Sequence, residues 1–362
     1  MIVVNARFLT QDITGVQRFA ECISLALKDL RDDVRFVAPR GIKRPDVARA
    51  LGVECIGRSS GQRWEQIDLP LYLARQGSPL LLSLCSTAPV LYGNQIATHH
   101  DINYVRFPQS YSLPFRMTYR TLLPLLLKRA RHLITVSEFS KAEIASFYRY
   151  PSERIAVIPN AVGPDFQPAH ETLSQEVPYL LAVSSPSHHK NFIRMIEAFL
   201  DLETDAAVEL RIVGNAHATL ASSDLAARIQ QHPRVRLLGR LSDTELIEAY
   251  QHAAAFVFPS LYEGFGIPPL EAQACGCPVI ASHTASMPEV LKDSVLYFNP
   301  LDRASMTHAM HRILTDHPLQ QELRQRGRKN LERFSWQQSA ERVSTLLDSM
   351  LAASPNTLKT VS

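Results

Sequence analysis

Alternation constrains this chain more than any other feature. Short apolar runs of strand length alternate with stretches of helical spacing, and the pattern runs through twice. "MIVVNARF" is a strand, and residues 15–30 place Leu, Ile and Phe at helical intervals. "VRFVAP", "PLLLSLC" and "NQIATHHD" are further strands. "HLITVSEFSKAEIASFY" is a strand leading into a serine-capped helix, and "RIAVIPNAV" is another strand. The sequence turns linker-like over 163–178, "GPDFQPAHETLSQEVP", and the alternation restarts. "PYLLAVSS", a helix over 191–201, "VELRIVG", a helix at "LAARIQQ" and "VRLLG" follow in order. Then come a helix at "SDTELIEAYQHA", the strand "AAFVFP", a helix after "GFGIPP", and "PVIAS". Strands and helices in alternation predict parallel sheets covered by helices on both faces. Two such runs around one linker predict an α/β protein of two doubly wound domains, 1–165 and 166–335, facing a central cleft. Open sheets of this kind hold ligands at the carboxyl ends of their strands. A terminal helix over 336–352 is expected to pack back on the first domain, with the last eight residues frayed. At the head of the helix over 15–30, Thr14 is the expected N-cap, and Gln17 completes a capping-box pattern.

Composition narrows the class. The chain has 362 residues, 46% of them hydrophobic and 20% charged, which supplies ample core for two domains. Its five cysteines (22, 55, 85, 275, 277) include no CxxC pair. A reducing, cytoplasmic setting fits that usage. Cys275 and Cys277 form a CxC without further ligands at metal-binding spacing, so no metal is expected. No apolar run approaches the roughly 18 residues of a membrane span. The net charge of +3 conceals an asymmetry. Residues 1–165 hold 21 Lys/Arg against 14 Asp/Glu, and the remainder holds 17 against 21. Within 102–137 stand six basic residues and no acid, among Phe107, Tyr111, Phe115, Tyr119 and the leucines of 122–127. Such a segment suits an anionic membrane surface, or equally an amphipathic helix whose bases are merely solvated. No recognition motif accompanies the charge, so nucleic acid is not an expected partner.

Chemistry concentrates in "PSLYEGFGIPPLEAQACGCPVIAS", residues 259–282. A strand ends, a glycine-rich loop carries Glu263, and Pro268 and Pro269 mark the first turn of a helix, where proline is tolerated. The free amides of a helix start suit a phosphate. Gly264 and Gly266 let the backbone approach a ligand closely. Glu271, about one turn into the helix, can accept two hydrogen bonds from a ribose diol, while Glu263 faces the cleft. The two acids then contact different parts of one long ligand. The plainer alternative makes Glu271 a first-turn acid that satisfies the helix dipole, and Glu263 a solvated turn residue.

"EGFGIPPLE" resembles the E-x7-E motif of retaining GT-B glycosyltransferases, in particular family four and its mannosyltransferase-like members from bacterial polysaccharide biosynthesis. Other segments match in order: "LTQDITGVQRFA", "ATHHDINY", "LLAVSSPSHHKNFIRMIEAF" and "VRLLGRLSDTELIEAYQHA". The resemblance covers almost the whole chain. It implies a GT-B fold of two Rossmann-like domains, an acceptor-binding one first and a nucleotide-sugar-binding one second. By the same resemblance, Glu263 lies beside the donor sugar and Glu271 binds the donor ribose. The Phe265 and Gly266 amides approach the sugar or its phosphate, and Lys190 neutralises the diphosphate. Gly15 comes near the diphosphate, His100 faces the cleft, and Arg240 and Leu241 lie near the nucleobase. Many members set an arginine beside this lysine. Here Ser187, His188 and His189 precede it, so the second cation is His189, or Arg194 one turn on, or Lys190 acts alone.

The implied reaction moves a sugar, with retention, from a nucleotide sugar to a glycan or lipid-linked acceptor in surface polysaccharide assembly. No cofactor beyond the donor and no metal is expected. "HHKNF" and "TGVQRF" resemble members that use GDP-mannose or related GDP-sugars, with UDP- or dTDP-sugars as the alternative. The implied location is cytoplasmic, peripheral on the inner face of the membrane. Three rival functions remain at this point: a glycoside hydrolase with two carboxylates about 5–9.5 Å apart, a non-catalytic nucleotide-sugar-binding module, and a GT-B epimerase.

Overall fold

The computed structural model describes residues 1–169, 177–183, 187–204, 207–214 and 232–353. The expected helix at "LAARIQQ", residues 170–176 of the linker, the end of "PYLLAVSS" and the final residues lie outside the described residues. The chain divides into two compact units. The first takes Met1–Ile102, Leu113–Asn160 and the segment from Ser335 onward; the second takes Asn103–Ser112 and Ala161–Phe334. The excursion over 103–112 is absent from a single linear boundary at 165/166.

The first unit is built on one parallel sheet. Its strands are β1 (Ile2–Asn5), β2 (Val34–Ala38), β3 (Glu54–Cys55), β4 (Leu80–Ser83), β5 (Gln95–Thr98), β6 (His132–Thr135) and β7 (Ile155–Val157). They stand in the order β3-β2-β1-β4-β5-β6-β7. Every residue of β1, β4 and β5 is buried, as expected of parallel strands covered on both faces. Beneath the sheet, Trp64, Leu69 and Leu73 pack against Val3, Val37 and Leu81. The helix Gly15–Leu30 buries Phe19, Ile23 and Leu27, the positions its periodicity selects. Thr14 is its N-cap by position, but its hydroxyl bonds the Gln17 side chain rather than a backbone amide. The capping-box expectation is therefore corrected: Gln17 turns its amide to the Gln11 side chain instead.

The terminal helix Trp336–Ala352 packs along Gly15–Leu30 within this unit. Ala340, Val343 and Leu347 are fully buried. Arg31 bonds Ser344 and Asp348, and Arg131 donates to the Met350 carbonyl. The segment over 102–137 is not one helix. It breaks into a short helix Asn103–Arg106, a 3-10 turn Pro108–Ser110 and the helix Leu113–Arg129, with Pro124 inside the last.

The second unit repeats the plan. Its strands are β8 (Tyr179–Val183), β9 (Glu209–Val213), β10 (Val235–Gly239), β11 (Ala255–Phe258), β12 (Val279–Ser282) and β13 (Leu296–Phe298). The order is β10-β9-β8-β11-β12-β13, and all pairs are parallel. In both sheets, therefore, the order reverses beside the first strand: between β1 and β4, and between β8 and β11. At such a switch point the loops leaving the two strands diverge to opposite faces and leave a crevice at their carboxyl ends.

Candidate active site

Lys190 and Glu263 leave from the two sides of the β8/β11 switch point. Lys190 closes the 3-10 turn His188–Lys190 beyond β8, and Glu263 stands in the loop beyond β11. The Lys190 ammonium lies 2.6 Å from a Glu263 carboxylate oxygen, with the two side chains 17% and 14% exposed. The ammonium also lies 5.9 Å from the centre of the Phe258 ring. Hydrogen bonds fix both loops. The Leu261 amide donates to the His189 carbonyl at 2.7 Å. Asn191, held at φ +59°, donates to the carbonyls of Pro259 and Pro300. The Ser286 hydroxyl lies 2.9 Å from the Glu263 carbonyl and 3.1 Å from that of Phe265.

The helix Ile267–Ala274 starts where the glycine loop ends. Gly266 is its N-cap at φ +87°, a left-handed conformation that L side chains rarely adopt. A Cβ there would lie 2.5 Å from Cε of Met287. The dihedral favours glycine here, and a Cβ would also oblige the flexible end of Met287 to move. Glu271 stands on this helix, and the buried Tyr250 hydroxyl donates to its carboxylate at 3.3 Å. Burial, reinforced by Glu271, raises the Tyr250 pKa well above its usual value, so the phenol stays protonated as a donor. Phe265 is buried edge-on against Phe334. The far end of the helix is tied down by Gln273, which bonds Ser294 and Asn330.

The second unit thus brings together Lys190, Glu263, Phe265, Gly266 and Glu271. Exposed Arg240 and half-buried Leu241 follow β10, the edge strand of the same sheet, ahead of a helix capped by Ser242 and Glu245. Gly15 and His100 belong to the first unit. Gly15 is the exposed first residue of its helix. His100 lies just past β5, edge-on to Phe19 with ring centres 5.0 Å apart. Its Nε2 is 3.3 Å from the Leu84 carbonyl. Burial pushes its pKa down to about 4, partly offset by that hydrogen bond, so the imidazole is neutral near pH 7.

The geometry also bears on the second cation. His189 is buried, and its pKa is pushed down to about 4 by that burial and by Lys190, so it carries no charge near neutrality. Arg194 directs Nη1 to the Asn191 side chain and the Pro300 carbonyl. Lys190 is a cation bonded to the glutamate loop.

One polar group carried no sequence signal. At the β1/β4 switch point Arg7 pairs with Glu65 at 3.0 Å and donates to Thr87 at 2.6 Å, while Asn5 donates to Glu65 at 2.8 Å. Glu65 is 1% exposed and sits in a π-turn over Trp64–Asp68, a local geometry that hydrophobic periodicity does not encode. Among the described residues, no group of three or more His, Cys, Asp or Glu side chains is gathered as a metal ion would need. All five cysteines are free thiols.

Comparison with known proteins agrees with this architecture. A family model described as "Glycosyltransferase Family 4" matches residues 13–166, and one described as "Glycosyl transferases group 1" matches 165–330. The chain thus carries a family-four glycosyltransferase domain followed by a group 1 glycosyl transferase domain. The chain is 35% identical over 228 residues to an O-antigen chain mannosyltransferase, RfbU, of Salmonella typhimurium, covering 63% of this chain and 62% of that protein. It is 29% identical to O-antigen chain mannosyltransferase B of Escherichia coli, covering 67% of each. The match thus spans about three fifths of the Salmonella relative's length. In fold, the chain superposes on a sucrose-phosphate synthase from Thermosynechococcus elongatus with a TM-score of 0.76, over 98% of this chain and 99% of that one, at 19% identity. Two parallel-sheet, Rossmann-like domains of the GT-B type are the result.

Proposed function

We propose that this glycosyltransferase moves mannose from GDP-mannose, or a related GDP-sugar, to a glycan or lipid-linked acceptor in surface polysaccharide assembly, with retention at the anomeric carbon. The observation that carries this reading is the Lys190–Glu263 pair at the β8/β11 switch point, beside the helix that starts at Gly266 and bears Glu271. The names of the Salmonella and Escherichia relatives supply the mannose.

In this mechanism the bond from the anomeric carbon to the diphosphate oxygen breaks, and negative charge grows on the leaving diphosphate. Lys190 and the backbone amides at Phe265 and Gly266 meet that charge; preorganised charge stabilisation usually contributes more to such catalysis than any other effect. Glu263 holds the Lys190 ammonium in place and borders the sugar. Glu271, oriented by Tyr250, accepts from the ribose hydroxyls, and Arg240 and Leu241 border the base. Gly15 approaches the diphosphate from the first domain, and neutral His100 hydrogen-bonds sugar or acceptor rather than acting as an acid. The leaving phosphate takes the acceptor proton. The reaction runs without a metal, so transfer persists in a chelator.

Membrane contact completes the proposal. In the helix Leu113–Arg129, exposed Leu113, Phe115, Met117 and Leu125 stand among exposed Arg120, Lys128 and Arg129. Arg131 is internal to the fold, bonded to Asn94 and Met350. No helix among the described residues is long and apolar enough to cross a membrane. The proposed attachment is peripheral, to anionic lipid on the inner face of the cytoplasmic membrane. Co-sedimentation with anionic but not neutral vesicles tests it.

The donor reading is tested by thermal shift with GDP, UDP, dTDP and ADP, for the wild type and Glu271→Ala. A ligand at 100 times its dissociation constant stabilises by about 2.7 kcal/mol. A shift with GDP alone, reduced in Glu271→Ala, is expected. Glu271→Ala should weaken GDP about 10- to 100-fold, the range for hydrogen bonds to a charged group. A shift with UDP or dTDP replaces the guanine assignment, and no shift with any nucleotide contradicts the transferase.

A further inference from the structure

The segment Asn103–Ser112 belongs to the second unit, although its neighbours in sequence on both sides belong to the first. It lays Phe107, Gln109, Ser110 and Tyr111 against the loops that carry the Lys190–Glu263 pair, with the Gln109 amide 3.2 Å from Nδ1 of His188. The Ser110 hydroxyl is 3.1 Å from Nδ1 of His189. The Tyr111 ring is parallel to the His189 ring within 3°, with centres 6.5 Å apart. The Phe107 ring lies 6.0 Å from that of His189 and also 6.0 Å from that of Tyr262. His189 immediately precedes Lys190, and Tyr262 immediately precedes Glu263. One aromatic side chain therefore touches the residue before each member of the ion pair.

We propose that Phe107 and His189 are positioning residues: the strap over 103–112 clasps both loops of the switch point and so fixes the Lys190 ammonium where it receives the β-phosphate of a nucleoside diphosphate. This rests on the reading of the site given above. His189 then owes its place to shape and hydrogen bonding rather than to charge. It is 4% exposed, its ring lies near the strap's Phe107 and Tyr111, and its carbonyl accepts from Leu261 on the glutamate loop. A flexible lysine side chain on a short 3-10 turn takes its placement from its neighbours. Glu263 holds the ammonium, the clasp holds the turn from the strap side, and Asn191, which caps the turn, and Arg194 in the helix that follows hold it from the other. Small displacements of a positioned group cost large factors in binding and rate. A charge-assisted contact to phosphate is correspondingly sensitive to the position of its cation.

The experiment compares guanosine diphosphate with guanosine monophosphate by calorimetry, for the wild type, Phe107→Ala, Phe107→Tyr, His189→Ala, Ser110→Ala and Lys190→Ala. Circular dichroism melts confirm that each variant is folded. Ser110→Ala keeps the test available should a larger truncation fail to fold. The expected result is a loss of about tenfold in diphosphate affinity for Phe107→Ala and His189→Ala, a smaller loss for Ser110→Ala, and recovery in Phe107→Tyr. Monophosphate affinity should stay within about twofold of wild type, because ribose and base contacts lie elsewhere. Equal losses for both nucleotides would mark the strap as merely structural, and unchanged diphosphate affinity would remove its role; either overturns the proposal. If the wild type binds neither guanosine nucleotide but binds the uridine pair, the donor assignment fails, and the same comparison with uridine nucleotides decides the clasp. Failure to bind any nucleotide overturns both.

Discussion

At the scale of single residues, the site depends on a lysine whose charge is held by one carboxylate. Lys190 and Glu263 are both mostly buried, so each protects the other from standing as an unpaired charge. Lys190→Met should lower kcat by about 10²- to 10³-fold, the loss typical of removing one charge-stabilising group. Glu263→Gln should lower it too, and the double variant should lose less than the product of the single losses, because the partners act on one group. Steady-state kinetics on the four proteins checks this; strictly multiplicative losses would uncouple the pair. The E-x7-E spacing and the lysine could be picked out of the sequence because both sit in short contiguous motifs, while the contact between Lys190 and Glu263 is visible only in the fold. The states of His100 and His189 were not legible, since they are set by burial that only the fold creates. Glu65 was equally hidden, because its partner Arg7 is 58 residues away in sequence.

Among the elements, the decisive one is the turn into the helix Ile267–Ala274. Gly266→Ala should destabilise by about 1–3 kcal/mol through backbone strain alone, with the contact to Met287 adding to it. Met287 is fully buried, so Met287→Ala alone should also destabilise, and the double variant should lose less than the sum of the two single losses by the steric part. Urea unfolding of the three variants separates the two, and a Gly266→Ala variant as stable as the wild type would rule out strain at this turn. Element reading from sequence succeeded where one pattern spoke alone. The helix Gly15–Leu30 matches its expected limits, and Ser137 caps its helix by accepting from the Ser140 amide. It faltered where local signals compete. Thr14 and Gln17 have the residue types of a capping box, yet the box forms at Ser242 and Glu245. The segment over 102–137 reads as basic, aromatic and leucine-rich, suited to a membrane surface or to an amphipathic helix. In the fold, Phe107 and Pro108–Ser110 interrupt it, and part of it joins the second unit. Strands β3 and β13, of two and three residues, are too short to carry a periodic signal.

For the molecule as a whole, two predictions concern what holds each unit together. The terminal helix is part of the first unit's core, so Leu347→Ala should cost about 2–5 kcal/mol. Denaturant titration of that variant checks it, and a change below about 0.5 kcal/mol, the range of surface substitutions, would place the helix outside the cooperative unit. The second prediction is a pH dependence. His99, His100 and His189 have pKa values pushed down to about 3, 4 and 4, in each case chiefly by burial. Their unfolded values are near 6.5. As pH falls from 6.5 toward 4, the unfolded chain takes up these protons and the folded chain does not. Stability therefore falls with pH, by about 1.4 kcal/mol per pH unit for each histidine. Urea midpoints should drop between pH 7 and pH 5, and His99→Asn with His100→Asn should flatten the slope; midpoints independent of pH would mean that these histidines are not buried neutral. Retaining transfer from a GDP-sugar belongs to this scale as well, because it joins a nucleotide site to an acceptor and a stereochemical outcome. It is decided by nuclear magnetic resonance of the product made from GDP-mannose and a mannoside acceptor. The expected spectrum shows release of GDP and a new linkage that keeps the donor's α configuration. A β linkage, or free mannose as the sole product, would refute it.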